Sequence, residues 1–321
     1  MHVAGAAKLA LHAPETIPQV GPINLRTDLD LSTQQLLSLL DLTRQVKYSR
    51  QRFASALRGQ SIALLFEKPS LRTRLTFELG IKQLGGEFVT QTGLIDEREP
   101  LKDVARNLGR WTSAIVARTF DQASVDELAR WSGIPVINAL SDLYHPCQAL
   151  ADMFTLKEHF GTLRGLKLAY IGDGSNMAHS LLLCCARLGI DCSVATPPGY
   201  EPNSAVVEVA GQFAAQSGAT IEILHDPAVA VASANAVYTD VWASMGQESE
   251  QETRNRIFAP YQVNTRLFAG ARRDAVFMHC LPAHRGFEVT DELIESPQSI
   301  VFDQAENRLH VQKTLLVMLL R

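Results

Sequence analysis

A stretch that follows an apolar run, FEKPSLRTRLTFELG over residues 66–80, contains side chains that bind anions. Ser70 follows Pro69 at a position typical of a helix N-cap, and the first turn of a helix offers free N–H groups and partial positive charge. Arg72 and Thr73 add a guanidinium and a hydroxyl to that turn. The stretch favours a phosphate-type anion site without a glycine-rich loop. The alternative is a capped surface helix whose arginines lie in water.

A second candidate is the segment HPCQALAD, residues 145–152. His145 and Gln148 are three residues apart, so in a helix they share one face near its N-terminus. A neutral imidazole and an amide that face one point could polarise a carbonyl group and hold an amide NH₂. A capping histidine and a surface glutamine are the alternative, which this motif alone does not exclude.

The glycine pair in YIGDGSNMAHS, residues 170–180, is similar to the start of a dinucleotide-binding fingerprint. Met177 stands where the third glycine of G-x-G-x-x-G belongs, and no acidic residue ends the next strand, DCSVAT. A dinucleotide cofactor is therefore disfavoured. Asn176 lies at the same strand-to-helix turn and is expected to face a cleft between domains, where open α/β sheets bind ligands.

Three further candidates follow later strands or open the last helix. Asp240 and Ser244, in TDVWASMGQE, come at the end of an apolar strand, where a carboxylate can bind an ammonium group; the alternative is a helix cap. Cys280, in FMHCLPAHRG, is more typical of a buried cysteine than of a nucleophile, because the adjacent His279 points to the other face of a strand. For Arg308, in AENRLHVQK, a solvated surface arginine is the usual expectation.

The composition restricts the class of protein. The 321 residues are 46% hydrophobic and carry a formal net charge of −4, which allows a large core and more than one domain. No basic tail or basic stripe with aromatics indicates a nucleic-acid partner, and no apolar run has the length of a membrane span. The five cysteines have neither paired spacing nor a C-x-x-C motif, which predicts a reducing, cytoplasmic setting and no metal site.

Strand and helix patterns alternate along the chain and predict an α/β fold. Apolar runs such as SIALLFE and AIVART alternate with helical repeats such as PLKDVARNLGRW, an order typical of parallel sheets flanked by helices. The alternation restarts after HPCQALADMFTLKEHFG, so two doubly wound domains are expected. The expected segments are an extension over 1–22, a first domain over 23–145, a bridging helix over 146–160, a second domain over 161–304 and a closing helix over 305–321.

Five segments, taken together and in this order, resemble the aspartate/ornithine carbamoyltransferase family from about Asn24 to the C-terminus. They are SLRTR, HPCQALAD, DVWASMG, HCLP and ENR, and two of them, DVWASMG and HCLP, are more similar to the ornithine branch. The resemblance implies transfer of the carbamoyl group of carbamoyl phosphate to the δ-amine of L-ornithine, in arginine metabolism and without a metal or cofactor. It also implies homotrimers, or multiples of trimers, and a closing helix that completes the first domain and brings Arg308 to Arg72.

The same resemblance implies the binding residues. Carbamoyl phosphate would be held by Ser70, Leu71 through its backbone, Arg72, Thr73, Arg118, His145, Gln148, Cys280, Leu281 and Arg308. Ornithine would be held by Asn176, Asp240, Ser244 and Met245. The catalytic residues would be Arg118, His145 and Cys280, with Cys280 and the Leu281 backbone close to the carbamoyl group and the δ-amine.

Two positions depart from the family pattern. Leu71 replaces the usual threonine, which removes a hydroxyl donor but leaves the backbone N–H. Leu94, in TGLIDEREPLKD, stands where many relatives carry a glutamine or histidine that reaches the phosphate of the neighbouring subunit. Arg98 and Lys102 are candidates to replace that donor.

The proposed chemistry explains the residue types. Negative charge develops on the carbonyl oxygen and on the departing phosphate, so fixed donors toward both lower the barrier. The attacking amine must lose its proton, so Asp240 is expected to bind the α-ammonium group and not the δ-nitrogen. Three alternatives remain: a carbamoyltransferase for N-acetylornithine, N-succinylornithine or putrescine, an NAD-dependent two-domain dehydrogenase, and a non-catalytic binding or assembly protein.

Overall fold

A computed structural model describes residues 24–243 and 250–320, and its first half contains a four-stranded parallel sheet. The strands are β1 (Ser61–Phe66), β2 (Glu87–Thr92), β3 (Ala114–Arg118) and β4 (Val136–Leu140). They are arranged in the order β2-β1-β3-β4. The helices of this half are α1 (Thr33–Tyr48), α2 (Leu71–Gln83), α3 (Leu101–Trp111) and α4 (Gln122–Ser132).

The second half contains a five-stranded parallel sheet. Its strands are β5 (Lys167–Ile171), β6 (Asp191–Ala195), β7 (Ile221–Leu224), β8 (Ala236–Thr239) and β9 (Val276–His279), in the order β7-β6-β5-β8-β9. The longer helices are α5 (Pro146–Phe160), α6 (Asn176–Leu188), α7 (Ser204–Ser217) and α12 (Val301–Leu320). The shorter ones are α8 (Pro227–Val231), α9 (Gln251–Phe258), α10 (Thr265–Phe268) and α11 (Asp291–Ile294).

The two parallel sheets flanked by helices confirm the predicted fold class. The closing helix α12 begins at Val301, four residues earlier than the sequence pattern predicts. Val301 is buried, and Asp303 places a carboxylate in the first turn, where it stabilises the helix N-terminus. The four short helices have only four to eight residues, too few for a helical repeat to be recognised. The N-terminal extension lies outside the described residues.

Each sheet has one point where the strand order reverses. In the first sheet this point lies between β1 and β3, and in the second between β5 and β8. Open α/β sheets leave a crevice at the carboxyl ends of the strands beside such a point, because the following helices leave on opposite faces. The segment that starts at Ser70 follows β1, Arg118 ends β3, and Asp240 follows β8. The strand order therefore directs the candidate site residues to these two crevices.

Helices α5 and α12 connect the two halves. Every residue of α5 from Pro146 to Leu156 is buried, and α12 packs against α1, α2 and α5. One continuous apolar cluster includes Leu64 of β1, Leu150 of α5, Leu168 of β5 and Leu315 of α12. The relative position of the two sheets is thus set by a shared core. Among the described residues, no helix has the length and apolar character needed to cross a membrane.

The close approach of α3 to α4 in the first half can be tested by a single substitution. A Cβ atom at Gly109 of α3 would lie 1.8 Å from the carbonyl oxygen of Ser132 on α4, so Gly109→Ala must push the helices apart. We expect this variant to lose about 1–3 kcal/mol of unfolding free energy, measured by urea denaturation.

Gly211 of α7 provides the matched control, because a Cβ there meets no atom within 4 Å. Gly211→Ala should gain about 0.5–1 kcal/mol through helix propensity alone. Equal behaviour of the two variants would contradict the close approach of α3 to α4.

Candidate active site

The N-terminus of α2 lies at the carboxyl end of β1, with Ser70 in the N-cap position. Ser70 has extended backbone angles, φ −156° and ψ 112°, but its side chain makes no capping hydrogen bond. The helix therefore does not use this hydroxyl, and the first N–H groups of α2 have no intrahelical acceptor. The side chain of Leu71 is exposed, so its backbone is what this turn offers to a ligand. The turn is suited to binding an anion.

The two arginines of this turn have different surroundings. Arg72 is partly buried; burial lowers its pKa, while Cys280 and Asp240 of the other half act in the opposite direction. Arg74 is exposed, and its Nε donates a hydrogen bond to Oε1 of Glu78 at 2.8 Å. Of the two arginines, Arg72 is therefore the one that interacts electrostatically with residues of the second half.

Two further guanidinium groups approach Arg72 from distant parts of the chain. Arg118 is buried, and its pKa is lowered to about 10, mainly by burial and then by the charges of Arg308 and Arg72. Arg308 is buried on α12, and its Nη2 donates to Oγ1 of Thr73 at 2.5 Å. Three cations therefore lie within electrostatic range of one another, and the space among them is referred to as the hollow.

These cations lack the partners that buried charges normally have. Within residues 24–243 and 250–320, the ion pairs involve other arginines and lysines, and none includes Arg72, Arg118 or Arg308. The buried Nε atoms of Arg118 and Arg308 have no hydrogen-bond acceptor in this described part of the chain. Burial of an uncompensated charge is costly. An anionic ligand would remove that cost.

His145 and Gln148 lie at the N-terminal end of α5 beside this hollow. The backbone N–H of His145 donates to Oγ of Ser180 at 2.9 Å. Among the residues that the structure describes, its ring makes no capping bond and its buried Nδ1 has no partner. Burial, and then the charges of Arg308 and Arg118, lower the pKa of His145 well below its usual value. The imidazole is therefore neutral. Gln148 is fully buried, so the interpretation as a surface glutamine is wrong.

Asp240 and Cys280 meet because β8 and β9 are parallel neighbours. Sγ of Cys280 donates to Oδ1 of Asp240 at 3.0 Å, and Oδ1 also accepts the N–H of Val241 at 2.8 Å. Burial and the adjacent carboxylate raise the pKa of Cys280 well above its usual value. The group is thus a neutral thiol, as expected for a buried cysteine that is not a nucleophile.

Asp240, His279 and Cys280 form a group whose ligand-type atoms lie within 4.8 Å of one another. His279 is, however, fully engaged. Its Nε2 donates to Oε1 of Glu288 at 3.2 Å, and its Nδ1 accepts the N–H of Leu281 at 2.9 Å. With both ring nitrogens in use, the group does not offer three free ligands to a metal ion. Leu281, at φ 56°, has the left-handed conformation, and its N–H is taken by His279.

Three other residues are predicted to bind the amino-acid substrate. Asn176 is the first residue of α6, and its Nδ2 donates to the carbonyl oxygen of Ser141 at 2.6 Å. Its amide thus lies at the junction of the two halves, as expected, but one donor is already used. Ser244 and Met245 lie outside the described residues.

The surface next to α2 includes the positions that depart from the family pattern. Leu94, Arg98 and Lys102 are all exposed, and the N–H of the adjacent Ile95 donates to Oε1 of Glu67 at 3.3 Å. No contact within the described chain brings Arg98 or Lys102 to the hollow. Arg98 and Lys102 stay the candidates to reach the phosphate of a neighbouring subunit.

The turn after β5 leaves little space for a dinucleotide. A Cβ at Gly174 would lie 2.3 Å from the backbone nitrogen of Pro202 and 2.5 Å from the carbonyl oxygen of Tyr200. Position 174 must therefore be glycine because the backbone of residues 200–202 packs directly against it. In a dinucleotide site the glycines would instead leave room for the pyrophosphate.

The sequence motifs did not single out two buried ionisable groups beside the hollow. Lys68 is buried, its Nζ lies 4.8 Å from the centre of the Phe120 ring, and burial followed by the charge of Arg118 lowers its pKa. Asp152 is fully buried, and burial raises its pKa to about 7 against the effect of its hydrogen bonds. The spacing of Asp152 from Gln148, one helical turn, was the available signal.

Comparison with known families places both halves in one group. Residues 24–158 match the carbamoyl-P binding domain of aspartate/ornithine carbamoyltransferase, and residues 164–319 match the Asp/Orn binding domain of the same family. Together these matches cover nearly the whole described chain.

Individual relatives agree with these matches. The chain is 53% identical over 267 residues to ornithine carbamoyltransferase of Thermococcus kodakarensis, covering 82% of this chain and 85% of the relative. It is 48% identical over 296 residues to the anabolic ornithine carbamoyltransferase of Pyrococcus furiosus, covering 91% and 94%. A solved ornithine carbamoyltransferase from Pyrococcus furiosus superposes with a TM-score of 0.91 at 46% identity, covering 94% of this chain and 98% of that structure. The chain therefore belongs to the aspartate/ornithine carbamoyltransferase family.

Proposed function

We propose that the protein transfers the carbamoyl group of carbamoyl phosphate to the δ-amine of L-ornithine, giving L-citrulline and phosphate, in the direction of arginine biosynthesis. The observation that carries this proposal is that Arg72, Arg118 and Arg308 lie within electrostatic range of one another and that, among the described residues, none of them forms an ion pair with a carboxylate. The relatives described above are ornithine carbamoyltransferases, and one of them is the anabolic enzyme.

The phosphate group of the substrate would bind at the N-terminus of α2. Ser70 and Arg72 supply a hydroxyl and a guanidinium, and the first N–H groups of the helix, including that of Leu71, have no intrahelical acceptor. A guanidinium can bind two phosphate oxygens at once, which a lysine ammonium cannot do. Arg308 adds a second guanidinium beside Thr73.

The carbonyl oxygen of the substrate would lie among Thr73, Arg118 and His145. Oγ1 of Thr73 accepts from Arg308, so its own proton remains free to donate to a ligand. Arg118 has no acceptor for its buried Nε, and neutral His145 can donate from one ring nitrogen. Removal of one such donor typically lowers the rate by a factor of about 10²–10³.

Ornithine would enter from the side of the second sheet. Oδ1 of Asp240 is occupied by Val241 and Cys280, which leaves Oδ2 for the α-ammonium group. Asn176, together with Ser244 and Met245, would complete the amino-acid pocket. The neutral Cys280 thiol and the carbonyl oxygen of Leu281 would contact the δ-nitrogen. They add no formal negative charge beside it, so the amine can lose its proton before it attacks.

Other copies of the chain would complete the assembly. Leu71, Leu75 and Leu79 are exposed at four-residue spacing on α2, and Val89 is exposed on the edge strand β2. Such an apolar stripe beside an open sheet edge is suited to cover by a second copy, in the trimers, or multiples of trimers, that the family resemblance implies. The five free, buried cysteines support a cytoplasmic location.

The acceptor can be tested with a panel of amines. The purified chain should form citrulline from carbamoyl phosphate and L-ornithine, because Oδ2 of Asp240 requires a free α-ammonium group. N-Acetylornithine and N-succinylornithine carry an amide in place of that group, so their rates should be lower by a factor of about 100 or more. Putrescine keeps the corresponding ammonium but lacks the α-carboxylate, so its rate should also be lower than that of ornithine. If any of these three amines reacts faster than ornithine, that amine and not ornithine is the acceptor. NADH binding without carbamoyl transfer would favour the dehydrogenase alternative.

The phosphate cradle can be tested with two arginines of α2. Arg72→Ala should raise the KM for carbamoyl phosphate by about 100-fold, because a charge-assisted contact to phosphate is lost. The KM for ornithine should change far less. Arg74→Ala is the matched control and should leave both values close to wild type, because Arg74 pairs with Glu78. An equal loss for both substrates in Arg72→Ala would contradict the cradle.

A further inference from the structure

A single carboxylate joins three elements directly beneath the site. Asp152 is fully buried one turn beyond Gln148 on α5. Its Oδ1 accepts from Nε2 of Gln148 at 2.8 Å and from Nε2 of Gln304, on α12, at 2.7 Å. Its Oδ2 accepts the hydroxyl of Tyr238, on β8, at 3.1 Å. Asp152 thus ties the bridging helix to the closing helix and to the second sheet.

These bonds determine which way the Gln148 amide points. Oδ1 accepts from both Gln148 and Gln304, and a proton on Oδ2 would point to the Tyr238 hydroxyl, so the NH₂ end of the Gln148 amide faces Asp152 in either protonation state. The opposite end, Oε1, is buried and has no donor in the described part of the chain. Because Gln148 and His145 are one turn apart, Oε1 lies on the helix face that also carries the imidazole.

Gln304 extends the same network to two other parts of the site. Its Oε1 accepts the backbone N–H of His279 at 3.0 Å, the residue before Cys280. Arg308 follows Gln304 by one turn on α12. The position of Asp152 is therefore coupled to the guanidinium of Arg308 and to the end of β9.

We propose that Asp152 is a positioning residue for the carbamoyl group, a role that rests on the proposed function. Its carboxylate holds the Gln148 amide with Oε1 toward the hollow, where Oε1 accepts a hydrogen bond from the NH₂ of the substrate. The site therefore prefers a ligand whose carbonyl carries NH₂ over one that carries a methyl group in its place. A carboxylate that served only to join helices would create no such preference.

Two phosphonates test this preference without any chemical step. Phosphonoacetamide carries a carbonyl with NH₂, and acetonylphosphonate carries a methyl group instead. Calorimetry should give about tenfold tighter binding of phosphonoacetamide to the wild-type chain, the effect of one neutral hydrogen bond. In Asp152→Asn the preference should disappear, because the new amide can donate to Gln148 and let it turn its own NH₂ toward the ligand. Affinity for acetonylphosphonate should stay within about twofold of wild type.

Further variants distinguish a positioning role of Asp152 from a general effect on the stability of the fold. Gln148→Met should also lose the preference, and addition of Asp152→Asn to it should change neither affinity further. Thr155→Val is the matched control: it removes the buried acceptor of Asn307 at 3.0 Å between the same two helices and should keep the tenfold preference. Asp152→Ser is a second variant with the same expectation as Asp152→Asn, and thermal unfolding identifies any variant that does not fold.

The outcomes distinguish this role from the proposed function. If wild type forms citrulline but both folded Asp152 variants keep the preference, Asp152 does not position the amide. Equal loss of both phosphonates would assign Asp152 a purely structural role and would also overturn the proposal. If wild type forms no citrulline from any amine, the proposed function fails, and the role of Asp152 fails with it.

Discussion

The main physical constraint on this protein is a cluster of three guanidinium groups, two buried and one partly buried, that have no ion-pair partner among the described residues. Arg118 is the extreme case: it is 7% exposed, and burial together with two neighbouring cations lowers its pKa to about 10. Folding gains nothing from such an arrangement, since buried charges are costly unless they are paired. The arrangement is explained if the missing partner is an anionic substrate.

The fold supplies this cluster from segments that are far apart in sequence. The strand order places Arg72 and Arg118 at the carboxyl ends of β1 and β3, and α12 returns across the first sheet to bring in Arg308. The contact of Arg308 with Thr73 joins residues 235 positions apart. The apolar core that α5 and α12 share packs beneath these residues and supports their positions.

The sequence predicts much of this site but not all of it. Alternating apolar runs and helical repeats predicted the two parallel sheets, because strand and helix periodicities are local properties. The motifs around Ser70 and His145 indicated anion and carbonyl binding, since the side chains within each motif lie within about one helical turn, whereas the role of Cys280 came from the family resemblance. Local patterns do not reveal that Asp152 accepts hydrogen bonds from residues of three elements. Nor do they reveal that the amide of Asn176 donates to the carbonyl oxygen of Ser141. Such contacts depend on how distant elements pack.

The central claim is that Arg118 is present to bind substrate and not to stabilise the fold. Thermal unfolding of Arg118→Met, with and without saturating carbamoyl phosphate, tests this most directly. The account predicts that the empty variant unfolds at a higher temperature than empty wild type, because a buried unpaired charge has been removed, and that carbamoyl phosphate raises its unfolding temperature much less than that of wild type. A less stable empty variant that is still stabilised by carbamoyl phosphate as strongly as wild type would contradict it.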